Sequence, residues 1–212
     1  MRLLITGFGP FPGMPRNPSA ALARRVAASP RWRVLGIEVT CRILTTSYAA
    51  LATELDPALA ESPDAVLLIG VAGRSKRIRV EWRATSRRST LFPDVAGETA
   101  GSVASGRTAA ARRSPIAPIK PLRALRAQKL PSRISRDAGR YLCNASYHRA
   151  LALPRPVLFI HIPKPPLPAR SRTGLRQRLT YDERLGRALT EMGMLLIRQA
   201  RNGGRQALAC KG

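Results

Sequence analysis

AVLLIGVA, residues 65–72, is an apolar run broken by one glycine and carrying no charge. A strand with one wet face alternates apolar and polar residues. A run apolar on both faces belongs in the middle of a parallel sheet covered by helices on each side. The stretch therefore predicts the central strand of an α/β domain, and its surroundings agree. Arg2–Thr6 reads as a second buried strand, ending in the Gly/Pro-rich loop Gly7–Arg16. Pro156–Ile162 (PVLFIHI) reads as a third. Arg77–Trp82 alternates, with Ile78, Val80 and Trp82 on one face and Arg77, Arg79 and Glu81 on the other.

Helix-length segments lie between these strands. Asn17-Pro18-Ser19 opens one, proline being tolerated in the first turn. Ser47–Ala60 and Lys120–Lys129 read as helices, and Asp137-Ala138-Gly139 turns into another over roughly Cys143–Leu153. Tyr181–Arg201 is a long helix whose Leu185, Leu189, Met192 and Leu196 recur at core spacing. Val34–Thr40 and Ser132–Ser135 are expected as strands, and residues 87–118 and 164–180 as loops. With no repeat and no linker, residues 1–212 are expected to form one domain.

Composition sets limits. At 44% hydrophobic the chain can bury a core, and no apolar run is long enough to cross a bilayer. The apolar start turns at Thr6–Gly7, too early for a signal peptide. Cys41, Cys143 and Cys210 are an odd, widely spaced set, which is no disulfide framework. With no CxxC and only two histidines, no zinc site is expected. A thiol-reducing, cytoplasmic setting fits best. The net charge of +25 comes from 32 arginines and five lysines. Residues 74–140 hold 14 arginines and three lysines against four carboxylates, a net of +13. Such a chain attracts phosphate without regard to sequence. Aromatics are only 5%, so no stacking platform for bases is present, and nonspecific polyanion binding is the expectation.

Three residues draw attention as chemistry. Cys143 stands where a glycine-containing turn enters a helix, and a helix N-terminus favours a thiolate. A nucleophilic thiol needs a base, and only His148 and His161 exist. His148 lies about 140° around the same helix from Cys143, at about 100° per residue, so the two share no face. His161 lies at the end of a strand, where open α/β sheets place their sites, with Phe159 and Val157 on its own side. Glu81, on a strand amid arginines, is the carboxylate best placed to orient an imidazole. Each also has a plain structural reading: a buried thiol, a core histidine, a surface carboxylate paired with Arg79 or Arg83. Spacing alone does not bring the three together.

Several longer blocks do. The opening ITGFGPFPGMPRNPS (residues 5–19) resembles the first signature of the type I pyroglutamyl peptidase family (pyrrolidone-carboxylate peptidases). SRDAGRYLCNASYHRAL (135–151) resembles the second, and FIHIP (159–163) the third. IGVAGRSKRIRVE followed by FPDVAG is similar to the family's G-x-AG…E and PDN-x-G region. The blocks keep their order from residue 1 to about 163. The resemblance implies a three-layer α/β/α sandwich around a mixed, mostly parallel sheet. It also implies a cytosolic cysteine exopeptidase that removes N-terminal pyroglutamate from peptides without metal or cofactor, in a family that often forms dimers or tetramers. By motif, Cys143 is the nucleophile, His161 the base and Glu81 its orienting acid. Phe8 and Phe11 become walls of the pyroglutamyl pocket, with Phe92, Tyr141 and Leu142 lining the rest and Asn17 bracing the first loop or the pocket.

The departures cluster near that pocket. Val71 stands where many members have Gln. Arg74 and Ser75 replace Gly-Arg, Ser86 replaces Asn, and Leu91 and Val95 replace the Arg before PDN and its Asn. After FIHIP the family's Pro-Glu-Gln run gives way to Lys164-Pro165-Pro166-Leu167-Pro168. Two other readings stay open at this point: a degenerate or specificity-shifted homologue, and a basic nucleic-acid- or polyanion-binding protein on the same scaffold.

Overall fold

The structure, a computed structural model, describes residues 1–99, 111–164 and 179–209. Its strands are β1 (Arg2–Phe8), β2 (Glu38–Leu44), β3 (Ala65–Val71), β4 (Ile78–Glu81), β5 (Arg83–Thr85), β6 (Ala111–Arg113), β7 (Ser132–Ser135) and β8 (Val157–Ile162). Six of them form one sheet in the order β2-β1-β3-β8-β4-β7, while β5 and β6 pair as a separate antiparallel ribbon. β2, β1, β3 and β8 run parallel; the direction reverses once, between β8 and β4, and β7 follows β4. The helices are α1 (Pro18–Ala27), α2 (Pro30–Val34), α3 (Asp56–Ala60), α4 (Ile119–Ala127), α5 (Leu142–Ala150) and α6 (Tyr181–Ala209), with a π-helical turn at Leu51–Leu55 leading into α3.

The apolar run at 65–72 is central, as its composition predicts. Ala65, Leu67 and Ile69 face a core built with Leu22 of α1, Leu125 of α4 and Leu189 of α6. Val66 and Leu68 face the opposite core, built with Leu55, Leu59 and Tyr147. Both faces are dry because helices cover both, which makes the domain three layers with the sheet in the middle. Among the described residues no helix is long and apolar enough to cross a membrane.

Two expected elements are corrected. The strand expected over Val34–Thr40 begins at Glu38, because Ser29-Pro30 starts a helical turn instead. Pro30 supplies the helical φ, and Trp32 is buried with its indole N–H donating to Val26 C=O at 2.6 Å. Gly36, at φ +62°, then turns the chain into the strand. The second correction concerns the loop expected over 87–118, where Ala111–Arg113 forms β6 against β5. Three residues are too few to show a period. The ribbon is fixed from outside by Trp82, whose ring lies 5.3 and 5.4 Å from the guanidinium carbons of Arg113 and Arg136. Residues 100–110, most of the loop expected over 164–180, and Cys210 lie outside the described residues.

Candidate active site

The site is assembled by strand register. His161 is on β8 and faces the same core as Val157 and Phe159, its ring centroid 4.7 Å from that of Phe159. Parallel pairing sets Gly70 of β3 beside His161, and antiparallel pairing sets Glu81 of β4 beside Phe159. Across this diagonal, His161 Nδ1 lies 2.8 Å from Glu81 Oε1, with the carboxylate fully buried and the imidazole 4% exposed. An Nδ1–H donating to the carboxylate leaves Nε2 for the chemistry.

Cys143 comes from the opposite layer, on the first turn of α5, and it reaches the sheet because residue 70 has no side chain. A Cβ at Gly70 would stand 2.9 Å from Cys143 Sγ and 2.7 Å from Phe159 Cζ, closer than side-chain carbons approach. The thiol therefore settles over Gly70, next to His161 across the strand pair, where its charge acts on the imidazole. Burial pushes the His161 pKa down. The negative charge available at Cys143 and the bonds to Cys143 and Glu81 outweigh it, so the net shift is upward from 6.5, to about 9. The imidazole thus keeps its proton through neutral pH, in the form that can donate to a leaving group.

Glu81 is held from several directions. Arg79 Nε lies 2.9 Å from the same carboxylate oxygen, and its guanidinium also donates to Ser135 Oγ at 2.8 Å and to the carbonyl of Asp137. Tyr147, fully buried on α5, donates its hydroxyl to Glu81 C=O at 2.9 Å. The helix that carries the thiol is thereby tied to the strand that carries the acid. Asn144 ties the same helix to β5, accepting from Thr85 N–H at 2.9 Å and donating to Thr85 C=O at 2.7 Å.

Beside the sulfur lies a cavity of about 360 Å³ walled by Phe8, Phe11, Tyr141 and Leu142, with Asn17 and Val71 also on its lining. Asn17 caps α1 and braces the loop beneath the cavity: Oδ1 accepts from Ser19 N–H at 3.1 Å and Nδ2 donates to Gly9 C=O at 2.8 Å. Tyr141 donates its hydroxyl to Pro93 C=O at 2.9 Å and stands edge-on to Tyr48, 5.9 Å between centroids. Phe92 is not brought into this lining; it is 56% exposed. Of the substituted positions, Leu91 and Val95 are exposed, while Val71 and Lys164 line the cavity. The retained Asp94 is buried and accepts from Tyr48 N–H at 2.7 Å and Ala96 N–H at 2.8 Å, while Gly97 takes the left-handed φ of +80° that the turn requires.

Gly70, Asn144 and Tyr147 are further positions at the site whose contacts spacing did not reveal, whereas Arg79 stood in the sequence as a partner for Glu81. Of those three, Gly70 alone left a signal, since a glycine inside an apolar strand marks a close approach. Among the described residues no three His, Cys, Asp or Glu side chains gather as a metal site.

Comparison with known proteins shows the family. The family profile described as pyroglutamyl peptidase matches residues 1–185. The chain is 34% identical over 170 residues to a pyrrolidone-carboxylate peptidase of Gloeobacter violaceus, covering 77% of this chain and 82% of that one. It is 32% identical over 171 residues to that of Thermococcus onnurineus, covering 77% and 84%. The crystal structure of the pyrrolidone carboxyl peptidase from Thermus thermophilus superposes with a TM-score of 0.65 at 32% identity, covering 76% of this chain and 84% of that one. A variant of the P. furiosus enzyme, at 24% identity, shares the fold over 92% of this chain and 98% of its own with a TM-score of 0.73. Profile, relatives and fold agree, and the chain belongs to the pyroglutamyl peptidase family.

Proposed function

We propose that the protein hydrolyses the N-terminal pyroglutamyl residue from peptides, with Cys143 as nucleophile, His161 as base and then acid, and Glu81 orienting the imidazole. The observation that carries this reading is Cys143 seated over Gly70 beside His161, whose ring bonds Glu81, at the edge of the aromatic-walled cavity. Pyroglutamate is a small uncharged lactam, apolar except for one N–H and one C=O, which suits walls of Phe8, Phe11 and Tyr141. Val71, where many family members carry Gln, offers only its backbone to that ring.

His161 takes the Cys143 proton, and the thiolate attacks the pyroglutamyl carbonyl carbon. The new C–S bond places negative charge on the carbonyl oxygen. That oxygen can be received by the first turn of α5, where Tyr141 makes no side-chain cap and the first helical bond is Ala145 N–H to Tyr141 C=O. The amides of Leu142, Cys143 and Asn144 precede that bond, and no acidic side chain competes there. His161 then protonates the departing amine as the C–N bond breaks. Water, deprotonated by the same imidazole, cleaves the thioester and restores the thiol.

Hydrolysis of a fluorogenic pyroglutamyl amide tests this, beside an alanyl amide and the Cys143→Ser variant. Turnover of the pyroglutamyl substrate alone is expected, with a loss of about 1000-fold or more in the variant. Equal turnover by the variant would overturn the assignment of Cys143. A folded protein that leaves the pyroglutamyl amide intact would overturn the substrate.

A further inference from the structure

A second cleft, of about 470 Å³, opens on the other side of Cys143. It shares Val71, Gly73, Tyr141 and Cys143 with the aromatic cavity, so the two meet beside the sulfur. His161 lines this second cleft and not the first. The imidazole is the group that protonates the departing amine, so the leaving part of the substrate must extend to this side. Four arginines line the cleft, Arg74, Arg79, Arg133 and Arg140, and no Asp or Glu does. Arg79 is committed to Glu81 and Ser135. Arg74, Arg133 and Arg140 are exposed, and none has a carboxylate partner among the described residues. Three uncompensated guanidinium groups around one concave surface are a carboxylate reader.

We propose that Arg74, Arg133 and Arg140 form a leaving-group subsite that selects a carboxylate on the residue following pyroglutamate. The inference rests on the pyroglutamyl reading and names the class of peptide within it. Two sources present that chemistry: an acidic side chain, or the terminal carboxylate of a dipeptide. The subsite is partly exposed, so its discrimination depends on salt, the screening length being about 10 Å at about 0.1 M.

The test compares kcat/KM for pyroglutamyl-glutamate amide, pyroglutamyl-glutamine amide and pyroglutamyl-glutamine with a free carboxylate. At low salt the first is expected to exceed the second about five- to tenfold, a ratio that falls toward one at about 0.5 M NaCl. The third exceeds the second if a terminal carboxylate is also read. In the variant Arg74→Gln/Arg133→Gln/Arg140→Gln the ratios collapse to one. A measurement free of peptide turnover accompanies this: alkylation of Cys143 by iodoacetate against iodoacetamide, referenced to the same ratio for glutathione. The subsite raises the relative rate of the anionic reagent in the native protein and not in the variant.

Hydrolysis of all the amides without preference overturns the subsite and leaves the pyroglutamyl reading standing, as does a preference that survives in the variant. A preference in alkylation without one in hydrolysis also overturns it, because the carboxylate is then read at the sulfur alone. If no pyroglutamyl amide turns over, the substrate reading fails, and the alkylation ratio alone decides whether the arginines form an anion subsite.

Discussion

His161 sits in apolar surroundings that by themselves would discharge it; Cys143 and Glu81 reverse that outcome, raising its pKa to about 9. The consequence is a pH window. The proton that His161 delivers to the leaving amine stays bound until the solution approaches that value, so the basic limb of kcat/KM is expected near it. In Glu81→Gln the charge of the carboxylate is gone, while an amide oxygen remains to accept from Nδ1 and burial remains, and the limb moves to lower pH. A pH–rate profile of the two proteins checks this, and an unmoved limb would show that Glu81 does not govern the imidazole. Linkage runs the same way: a folded pKa above the ordinary 6.5 contributes stability that is complete below 6.5 and disappears as pH rises through about 9. The three residues were legible one at a time from their chemistry, and together only through the family motifs. Glu81 and His161 are 80 positions apart, and it takes the β4–β8 register to bring them to 2.8 Å.

Elements with strong periods were readable, as were the short strands β4 and β7, whereas β6 was not. The central strand, the strand ending at His161 and the long C-terminal helix all appear where their apolar patterns place them. β2 slipped by four residues because Val34 and Leu35, exposed in the fold, read as strand residues by composition alone. β6 carried no local pattern at all. The couplings between elements were also hidden, above all the bond from Tyr147 on α5 to the backbone of Glu81 on β4. That bond makes the thiol-bearing helix and the acid-bearing strand one unit. Tyr147→Phe keeps the packing against Phe159, whose ring centroid lies 5.4 Å away, and removes only the hydroxyl. It is expected to cost about 1–2 kcal/mol in urea unfolding, since the carbonyl it leaves is buried. kcat is expected to fall several-fold at constant KM, because the acid shifts while the acyl cavity is untouched. A variant with lowered stability but native kcat would mean that the tie is structural only.

Over the whole molecule the charge of +25 has no counterpart in the catalytic design, which needs one buried carboxylate and one imidazole. It does bear on access, because Arg74, Arg133 and Arg140 border the cleft that ends at Cys143 and His161. A polyanion drawn to this face by counterion release must therefore block the mouth of the site. Heparin and duplex DNA are expected to inhibit hydrolysis of an uncharged pyroglutamyl amide at low salt, competitively, with relief by about 0.5 M NaCl. The logarithm of the inhibition constant should change linearly with the logarithm of salt concentration. The chain is only 5% aromatic and carries no run of aromatic residues among its arginines to stack on successive bases. Two DNA duplexes of equal length and different sequence should then inhibit equally. Inhibition that distinguishes them, or that survives high salt, would point to a built nucleic-acid site and return the basic surface to the centre of the protein's function. Equal, salt-sensitive inhibition leaves the arginines as a general field over the enzyme, felt at the cleft that Arg74, Arg133 and Arg140 share with Cys143 and His161.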